Sequence, residues 1–371
     1  MRYGFLFIAL SIILSILGYV ICRGWQALPS QGLWRQLYAG LSILLFLLFL
    51  AALLFGQKMA VSVASVVSFA GNTYFVVLIY LLLSFLLVDA VRLVNAFVHF
   101  APAGMFNFRY WWMLGSLVVI AIALVVGNYQ FNHPETVMFN LQTDKPRQHK
   151  ELKIVAVSDI HLGFSIDKKK LQEYVKMINS QHPDIVLIAG DVSDRSVEPI
   201  IRQNMKEDLL QIKAPLGVFA INGNHEFYAE QPGATAEYLR QSGIHVLIDS
   251  VSMIDKAFYI IGRDDRTNEH RKSLAALVNG LNPTLPKIVL DHQPLHLEEA
   301  EQNGIDLQIS GHTHNGQFFP GNLLVKSMYE LAHGYLKKGH THYYVSSGLG
   351  IWGPQYRIGS QSEIVVIKLR Y

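Results

Sequence analysis

The fold of the second half of the chain is decided by residues 152–161, Leu-Lys-Ile-Val-Ala-Val-Ser-Asp-Ile-His. The first six residues are mostly apolar and rich in Val and Ile, which predicts a buried strand. Two polar side chains, Asp159 and His161, follow its end. Because side chains two residues apart in an extended chain point to the same side, this carboxylate and this imidazole are expected to grip one cation together.

The same kind of short apolar run recurs along the rest of this half. Further buried strands are predicted at 185–189, 217–221, 244–248, 258–262, 287–290, 306–310, 342–346 and 363–369. Helical patterns separate several of them, at 167–181, 199–212, 234–242, 271–280 and 296–303. This alternation predicts an α/β domain over residues 151–371, with sheets covered by helices.

Polar groups follow four more of these strands. They are Gly190-Asp191-Val192-Ser193-Asp194, Asn222-Gly223-Asn224-His225-Glu226, Asp291-His292-Gln293 and Gly311-His312-Thr313-His314. Ligands of open α/β sheets gather beyond the carboxyl ends of the strands, so all five groups can converge on one crevice. Imidazole nitrogens mixed with carboxylate or amide oxygens suit Mn, Fe or Zn rather than calcium.

These five groups, in this order and each after an apolar strand, resemble the calcineurin-like metallophosphoesterase superfamily. The resemblance covers about residues 150–371 and is closest to the compact bacterial branch, whose ending is matched by Ser347-Gly348-Leu349-Gly350, Arg357 and a last strand. It implies a β-sandwich flanked by helices, in four layers α-β-β-α. It also implies two divalent metal ions, Mn, Fe or Zn, and hydrolysis of a phosphate ester by a metal-bridging hydroxide.

The resemblance further implies a role for each site residue. The implied metal ligands are Asp159, His161 and His314 for the first ion, Asn224, His292 and His312 for the second, and Asp191 as the catalytic bridge between them. His225 would not bind metal but would stabilise or protonate the leaving oxygen, which requires an imidazole whose pKa lies near the working pH. Asp194 would orient a ligand or close its loop.

Several residues near this set keep two interpretations. A lone histidine such as His292 is more often structural, but its position directly after Asp291 favours the ligand. Arg195 and Arg357 could hold a substrate phosphate through their planar guanidinium groups, or could be solvated surface residues. Glu226 is expected either at the surface or beside a ligand.

Two further features are expected at the rim of the site. The loop Gly262-Arg263-Asp264-Asp265 is predicted there without any chemistry of its own. Asn315 is a departure from this branch, which usually has a small glycine after the second histidine of the His-x-His pair. That departure is expected to alter the rim and not the ligation.

The first half has a different composition. Only six basic residues and one acidic residue precede His133. Four segments are long and apolar enough to cross a hydrocarbon core of about 30 Å, namely 4–22, 37–55, 74–98 and 111–131. Residues 1–131 are therefore predicted to form an all-α membrane domain with four transmembrane helices. The first segment is too long for a signal peptide, so it is expected to be retained rather than cleaved near Cys22.

Residues 132–150 are polar, with Pro134 and Pro146, and are interpreted as a linker or a leading strand. In the third span, Asp89 and Arg92 stand three residues apart, which predicts that they meet on one helix face. They are interpreted as a neutralising pair close to the interface, the alternative being a functional intramembrane charge.

Charge also bears on partners and topology. The net charge of +3 belongs to the membrane half, because 25 basic and 27 acidic residues make up the remainder, so no nucleic-acid partner is expected. Arginines 23, 35, 92 and 109 flank one membrane face, which favours cytoplasmic short loops there. The lipid bilayer is thus a partner, and the catalytic domain is expected outside the cytoplasm at a bacterial plasma membrane. The oligomeric state stays open.

The sequence as a whole predicts an integral membrane phosphoesterase that acts on phosphomonoester, phosphodiester or pyrophosphate bonds. A lipid-linked substrate is attractive because the site is tethered close to lipid. One alternative is a non-catalytic metal-binding membrane sensor or transport-associated protein, against which the intact ligand set argues. Another is a metal-dependent hydrolase of an amide or lactone, although neither a His-Glu-x-x-His helix nor a Gly-x-Ser-x-Gly elbow is present.

Overall fold

The computed structural model describes residues 2–100, 105–143, 145, 151–228, 231 and 233–371. The chain forms two compact units, residues 1–126 and residues 127–371. The division falls inside the last long apolar helix, so the final turn of that helix belongs to the second unit.

Long apolar helices make up the first unit as far as it is described. They are α1 (Arg2–Ala27), α2 (Trp34–Phe55), α3 (Val61–Val98) and α4 (Met105–Asn132). Each contains a stretch long and apolar enough to cross a membrane, so the prediction of four apolar helices of membrane-spanning length is confirmed. Helix α3 begins well before the predicted residue 74, because residues 61–73 are small or apolar and pack on α2. A Cβ at Gly71 would lie 2.5 Å from the backbone nitrogen of Phe49, so the two helices meet there through their backbones.

The predicted contact between Asp89 and Arg92 is also confirmed, at 3.2 Å. Asp89 is shared with α1, because Arg23 lies 2.6 Å from the same carboxylate and the Tyr19 hydroxyl donates to it at 2.7 Å. The charge on Asp89 is therefore balanced within the first unit.

Strands dominate the second unit. In chain order the described strands are β1 (Glu135–Gln142), β2 (Glu151–Val157), β3 (Ile185–Ile188), β4 (Val218–Ala220), β5 (His245–Val246), β6 (Ser250–Ile254), β7 (Phe258–Gly262), β8 (Lys287–Leu290), β9 (Leu307–Ser310), β10 (Gly334–Lys338), β11 (Thr341–Val345) and β12 (Glu363–Arg370). They form one sheet in the order β1-β12-β2-β3-β4-β5 and another in the order β10-β11-β9-β8-β7-β6. Neighbours β2 to β5 run parallel, as do β7, β8, β9 and β11, so the carboxyl ends within each run lie at one edge of its sheet.

The two sheets pack face to face. Alternate residues of β2 show this arrangement: Ile154 lies in a buried cluster with Ile260, Leu290 and Ile309 of the other sheet, whereas Val155 belongs to a different core. Side chains of a strand alternate between its two faces, so each central strand contributes to both cores.

Helices cover the two outer faces. They are α5 (Lys168–Ser180), α6 (Glu198–Arg202), α7 (Lys206–Leu209), α8 (Ala234–Gln241), α9 (Leu274–Val278) and α10 (Glu298–Gln302). One more helix, α11 (Gly321–Met328), buries no side chain. Tyr174 of α5 and Leu239 of α8 pack with Val155, while Leu277 of α9 and Ala300 of α10 pack on the outer face of the second sheet. The predicted four-layer α-β-β-α architecture is therefore confirmed.

Several regions differ from the sequence prediction in detail. The region interpreted as a linker or a leading strand contains a strand: residues 135–142 form β1, which pairs in parallel with β12. The predicted helix at 199–212 is divided into α6 and α7, because Asn204 between them adopts a left-handed conformation with φ +50°. Strands β6 and β10 were not predicted, since they form the sheet edges and carry mainly half-exposed or exposed side chains instead of an apolar run.

Candidate metal centre

The five polar groups predicted from the sequence meet at the carboxyl edges of both sheets. The loops after β2, β3 and β4 bring Asp159, Asp191 and Asn224 from the first sheet. The loops after β8 and β9 bring His292 and His312 from the second. Nearly all of these side chains are buried, so the polar groups face one another within the domain rather than bulk water.

One group of possible ligands consists of Asp159, His161 and His314. The Nε2 atoms of His161 and His314 lie 3.1 Å apart, and the Nε2 atom of His314 lies 3.5 Å from Oδ1 of Asp159. The Nδ1 atoms of both histidines are buried and have no hydrogen-bond partner among the described residues. The three side chains therefore lie close enough together to hold one ion.

A second group surrounds His292. Its Nε2 atom lies 3.1 Å from Oδ2 of Asp191 and 3.2 Å from Oδ1 of Asn224. The Nδ1 atom of His312 lies 2.8 Å from the same Asn224 oxygen. The Nδ1–H group of His292 donates to the carbonyl oxygen of Ala189 at 2.7 Å, because a carbonyl can only accept, and this leaves Nε2 free to bind a metal.

Asp191 connects the two groups. Its Oδ2 atom is 3.8 Å from Nε2 of His161 on one side and 3.1 Å from Nε2 of His292 on the other. Ligand atoms that bind one ion at about 2.0–2.2 Å lie roughly 3–3.6 Å from one another. The residues present therefore fit a pair of cations with the Asp191 carboxylate between them.

The backbone at these positions is unusual. Five of the implied ligands have left-handed backbone angles between φ +49° and φ +73°: Asp159, His161, Asp191, His312 and His314. The expectation of an extended chain at Asp159 and His161 is wrong, because β2 ends at Val157 and the two side chains converge through left-handed turns. Such conformations cost about 1–3 kcal/mol each and persist where the surrounding structure requires them.

Glycines make room for this arrangement. A Cβ atom at Gly311 would collide with the Asp159 carboxylate, and one at Gly223 would collide with the carboxylate and backbone of Asp191. The backbone therefore approaches both carboxylates more closely than any other residue type permits.

Glu226 stabilises the Asp191 turn through hydrogen bonds to its backbone. It is 7% exposed, so of the two interpretations the surface position is excluded. Its carboxylate accepts hydrogen bonds from the backbone N–H groups of Asp191 at 3.1 Å, Gly223 at 2.7 Å and Ser193 at 3.0 Å. Burial raises the pKa of Glu226 to about 7, and the nearby charge of Asp191 adds to that effect.

His225 and Asp194 lie beside the first group. The Nδ1–H group of His225 donates to the carbonyl oxygen of Asp194, and the backbone N–H of His225 donates to Oδ1 of Asp191 at 2.9 Å. The His225 Nε2 atom is thus left without a proton while the imidazole is neutral. Oδ1 of Asp194 lies 3.8 Å from Nδ1 of His161, which is the position of a group that orients this ring.

The electrostatics of the centre follow from burial and from the carboxylates. Burial raises the pKa of Asp159 to about 6. Burial acts against the charge on Asp191, but His292 outweighs it, so the pKa of Asp191 lies far below and that of His292 well above the usual value. Burial lowers the pKa of His161 and His314 well below the usual value, which keeps both imidazoles in the neutral form that binds metals.

Arg357 has neither of its predicted roles. It is fully buried, and its guanidinium donates to the backbone carbonyls of His314 at 2.8 Å, Gly348 at 3.1 Å and Gly350 at 2.6 Å. It holds the His314 turn against the last loop and is not available to a substrate. Arg195, in contrast, is exposed next to Asp194.

A network of ion pairs between charged side chains lies behind His292. The sequence analysis did not predict it. Arg263 forms ion pairs with Asp291 at 2.9 Å and with Glu299 at 2.7 Å, and Arg271 pairs with Asp291 at 3.1 Å. The segment predicted as a rim loop without chemistry thus fixes the residue that precedes His292. The only signal in the sequence was the run of charges at 263–266 directly after an apolar strand.

Comparison with known proteins agrees with this architecture. Residues 152–316 match the family model of the calcineurin-like phosphoesterases. An uncharacterized metallophosphoesterase of Campylobacter jejuni is 33% identical over 263 residues, which cover 69% of this chain and 69% of that protein. An uncharacterized metallophosphoesterase of Aquifex aeolicus is 29% identical over 262 residues, which cover 67% of this chain and 98% of that protein.

One relative also has a membrane region in its name. A "Transmembrane protein with metallophosphoesterase domain" of Danio rerio is 34% identical over 272 residues, which cover 69% of this chain and 62% of that protein. This chain therefore spans less than two thirds of that relative. Together with the four apolar helices, the likeness supports a membrane protein. The matched segment and the extent of identity establish that the chain belongs to the calcineurin-like phosphoesterase family.

Proposed function

We propose that this protein is a membrane-anchored phosphoesterase that depends on two divalent metal ions, Mn, Fe or Zn, and hydrolyses phosphomonoester, phosphodiester or pyrophosphate bonds. One observation carries the proposal: the Asp191 carboxylate lies between two groups of possible metal ligands, 3.8 Å from His161 and 3.1 Å from His292. A carboxylate in that position can be shared by two cations, which a single structural metal does not need.

The chain's own residues define the roles in this reaction. When bound, two divalent ions lower the pKa of a water molecule and neutralise charge on phosphate oxygens. We assign Asp159, His161 and His314 to the first ion. We assign Asn224, His292 and His312 to the second ion. His225, whose Nδ1–H is held by the Asp194 carbonyl, presents Nε2 towards the leaving oxygen and so can exchange a proton with it.

The test replaces Asp191 by Asn in the full-length protein in detergent, after loading with Mn. The substrates are a water-soluble phosphomonoester, a phosphodiester and a pyrophosphate. A matched control is Asp255→Asn, since Asp255 is an exposed aspartate that also has a left-handed backbone, φ +49° against φ +53° at Asp191. We expect activity to fall by about 10³-fold or more in Asp191→Asn, as for loss of a main electrostatic group, and to stay unchanged in the control.

Other outcomes identify the alternatives. Two metals bound per chain without hydrolysis of any phosphate ester would favour the metal-binding sensor. Hydrolysis of amides or lactones, but of no phosphate ester, would favour the non-phosphate hydrolase. Either result would remove the proposed function.

We also propose that the second unit lies outside the cytoplasm of a bacterial plasma membrane. Support comes from Arg23, Arg35, Arg92 and Arg109, which flank one membrane face, as cytoplasmic loops generally do. Fusion of the C-terminus to a reporter that is active only outside the cytoplasm, and separately to one that is active only inside, tests this. Activity of the cytoplasmic reporter alone would reverse the orientation.

A further inference from the structure

We infer that helix α11 and its aromatic neighbours form a membrane-docking surface, which holds the candidate metal centre at the lipid head groups and selects an amphiphilic phosphate ester as substrate. The choice of substrate rests on the proposed phosphoesterase function. The docking itself rests on exposure, hydrogen bonding and chain connectivity within the second unit.

The surface is apolar and exposed. We call it the α11 surface and define it by Phe319, Leu323, Leu324, Met328 and Trp352, which are between 51% and 62% exposed. Helix α11 has no buried side chain, although most helices of the second unit bury one face in a core. Several exposed, bulky apolar side chains on and beside one helix are typical of an interaction site.

Its position relates it to the point where the chain leaves the bilayer. The last turn of α4 is the end of a candidate membrane span and belongs to the second unit, where Phe131 is 2% exposed. Two hydrogen bonds fix this turn: Asn128 donates to the carbonyl of Gln355 at 3.0 Å, and the backbone N–H of Arg357 donates to the carbonyl of Gly127 at 2.8 Å. The same loop then pairs onward, because the carbonyl of Ile358 accepts from the backbone N–H of Phe319 at 2.7 Å.

Only two backbone hydrogen-bonded steps therefore separate the end of α4 from the start of the α11 surface. Each such step between neighbouring backbone segments is about 5 Å. The head-group region on each side of the hydrocarbon core is also only about 5–8 Å thick. The start of the α11 surface therefore lies within about 10 Å of the last turn of α4, a distance comparable with the thickness of the head-group region.

The composition of α11 suits an interfacial helix. Leu324 and Met328 stand one turn apart on one face, and Lys326 is exposed between them in sequence. Apolar side chains with a basic residue beside them are typical of helices that lie in the head-group plane of anionic membranes. A second copy of this chain could bury the same leucines, but the short path from α11 to the end of a membrane span favours lipid as the occupant.

The α11 surface also continues into the metal centre. The ring of Trp352 lies 6.2 Å from the ring of His225, and the exposed Tyr228 lies 5.0 Å from it on another side. On the α11 side, the turn that carries His314 packs so closely that a Cβ at Gly316 would collide with the backbone of Asn322. A phosphate at the centre would therefore have apolar side chains along its way out, which fits a substrate with an apolar tail.

The first experiment measures lipid contact directly in the full-length protein in nanodiscs of phosphatidylcholine and phosphatidylglycerol. The only cysteine, Cys22, is replaced by Ser, and a polarity-sensitive fluorophore is attached at Met328→Cys. Met253→Cys is the matched control, because Met253 is also an exposed methionine, at 51%, but lies on the far edge strand β6. We expect emission at position 328 to shift to the blue and to be quenched at least about twofold by spin-labelled lipid, since interfacial helices bury their apolar face about 5–10 Å deep.

Two results would overturn the docking surface. One is emission at position 328 that is as water-exposed and as weakly quenched as at position 253. The other is a blue shift without quenching by spin-labelled lipid, which would show that protein, such as a second copy of the chain, covers α11.

The second experiment tests the substrate class with the Leu323→Ser/Leu324→Ser variant. We expect its rate on a phosphate ester embedded in the nanodisc to fall at least about tenfold, because loss of the apolar contact of even one buried leucine has an effect of that size, with the rate on a water-soluble phosphomonoester unchanged. Equal loss on both substrates, or on neither, would refute the substrate inference. If the unaltered protein hydrolyses neither substrate, the proposed function itself fails, while the fluorescence result still decides the docking.

Discussion

Replacement of Glu226 by Gln is the sharpest test of how the Asp191 turn is held. In the structure Oε2 accepts from the N–H groups of Asp191 and Gly223, and Oε1 accepts from the N–H and hydroxyl of Ser193. Glutamine keeps the shape but has one acceptor oxygen. Its amide group must then face either Ser193 or the other two donors, and at least one buried N–H is left without an acceptor.

The cost follows from that count. One buried donor without a partner costs about 1–3 kcal/mol. Because the affected backbone carries Asp191, the strain is transmitted to the metal centre, and loss of a group that orients a ligand typically lowers metal affinity by about 10–100-fold. We therefore expect Glu226→Gln to bind Mn about 10–100-fold more weakly, with residual hydrolysis recovered at saturating metal.

Calorimetric titration of the metal-free, full-length protein with Mn measures this affinity. The matched control is Glu237→Gln: Glu237 is an exposed glutamate on α8 that accepts a hydrogen bond from the exposed Gln241, and its replacement should leave the affinity unchanged. An affinity of Glu226→Gln within about twofold of the unaltered protein would show that the Asp191 turn does not depend on this carboxylate, since the expected loss is at least about tenfold.

Three more predictions follow from the same structure. Arg357→Met removes the donor to three buried carbonyls and should lower the free energy of unfolding by about 3–5 kcal/mol. Thermal melts would show this as a lower midpoint. A variant with unchanged stability and a raised KM would indicate that Arg357 binds the substrate phosphate. Arg263→Met leaves Asp291 less well paired behind His292, so elemental analysis at limiting metal should find one tightly bound ion rather than two. Treatment with a chelator should abolish hydrolysis and lower the melting midpoint, and added Mn should restore both, whereas activity that persists without metal would contradict the assignment of the centre.

The fold, and the position of the candidate site residues at the ends of strands, could be predicted because both depend on local patterns. Nine of the strands are apolar runs in the sequence, and the polar residues of the site come directly after five of them. Helix α11 and the edge strands β6 and β10 were not predicted, because elements that bury few apolar side chains need no apolar periodicity in their sequence. The same reason explains why β1 could not be told from a linker.

The roles of charged residues were harder to predict. Arginine is usually a surface residue, so the sequence does not show that Arg357 and Arg263 are internal. Arg357 donates to three backbone carbonyls, and Arg263 pairs with two carboxylates, which shows that both stabilise the interior. A local pattern does not report burial, because burial depends on which distant segments close over a side chain.

The sequence by itself determined that four apolar spans precede an α/β domain, and that carboxylate, amide and imidazole groups stand at the ends of its strands. These properties depend on residues that are neighbours along the chain. Only the tertiary structure decided that the Asp191 oxygen lies between His161 and His292, that left-handed turns rather than an extended chain orient Asp159 and His161, and that α11 buries no side chain. The physical reason is that each of these facts is a distance or an exposure set by segments far apart in sequence, which come together only when the two sheets pack.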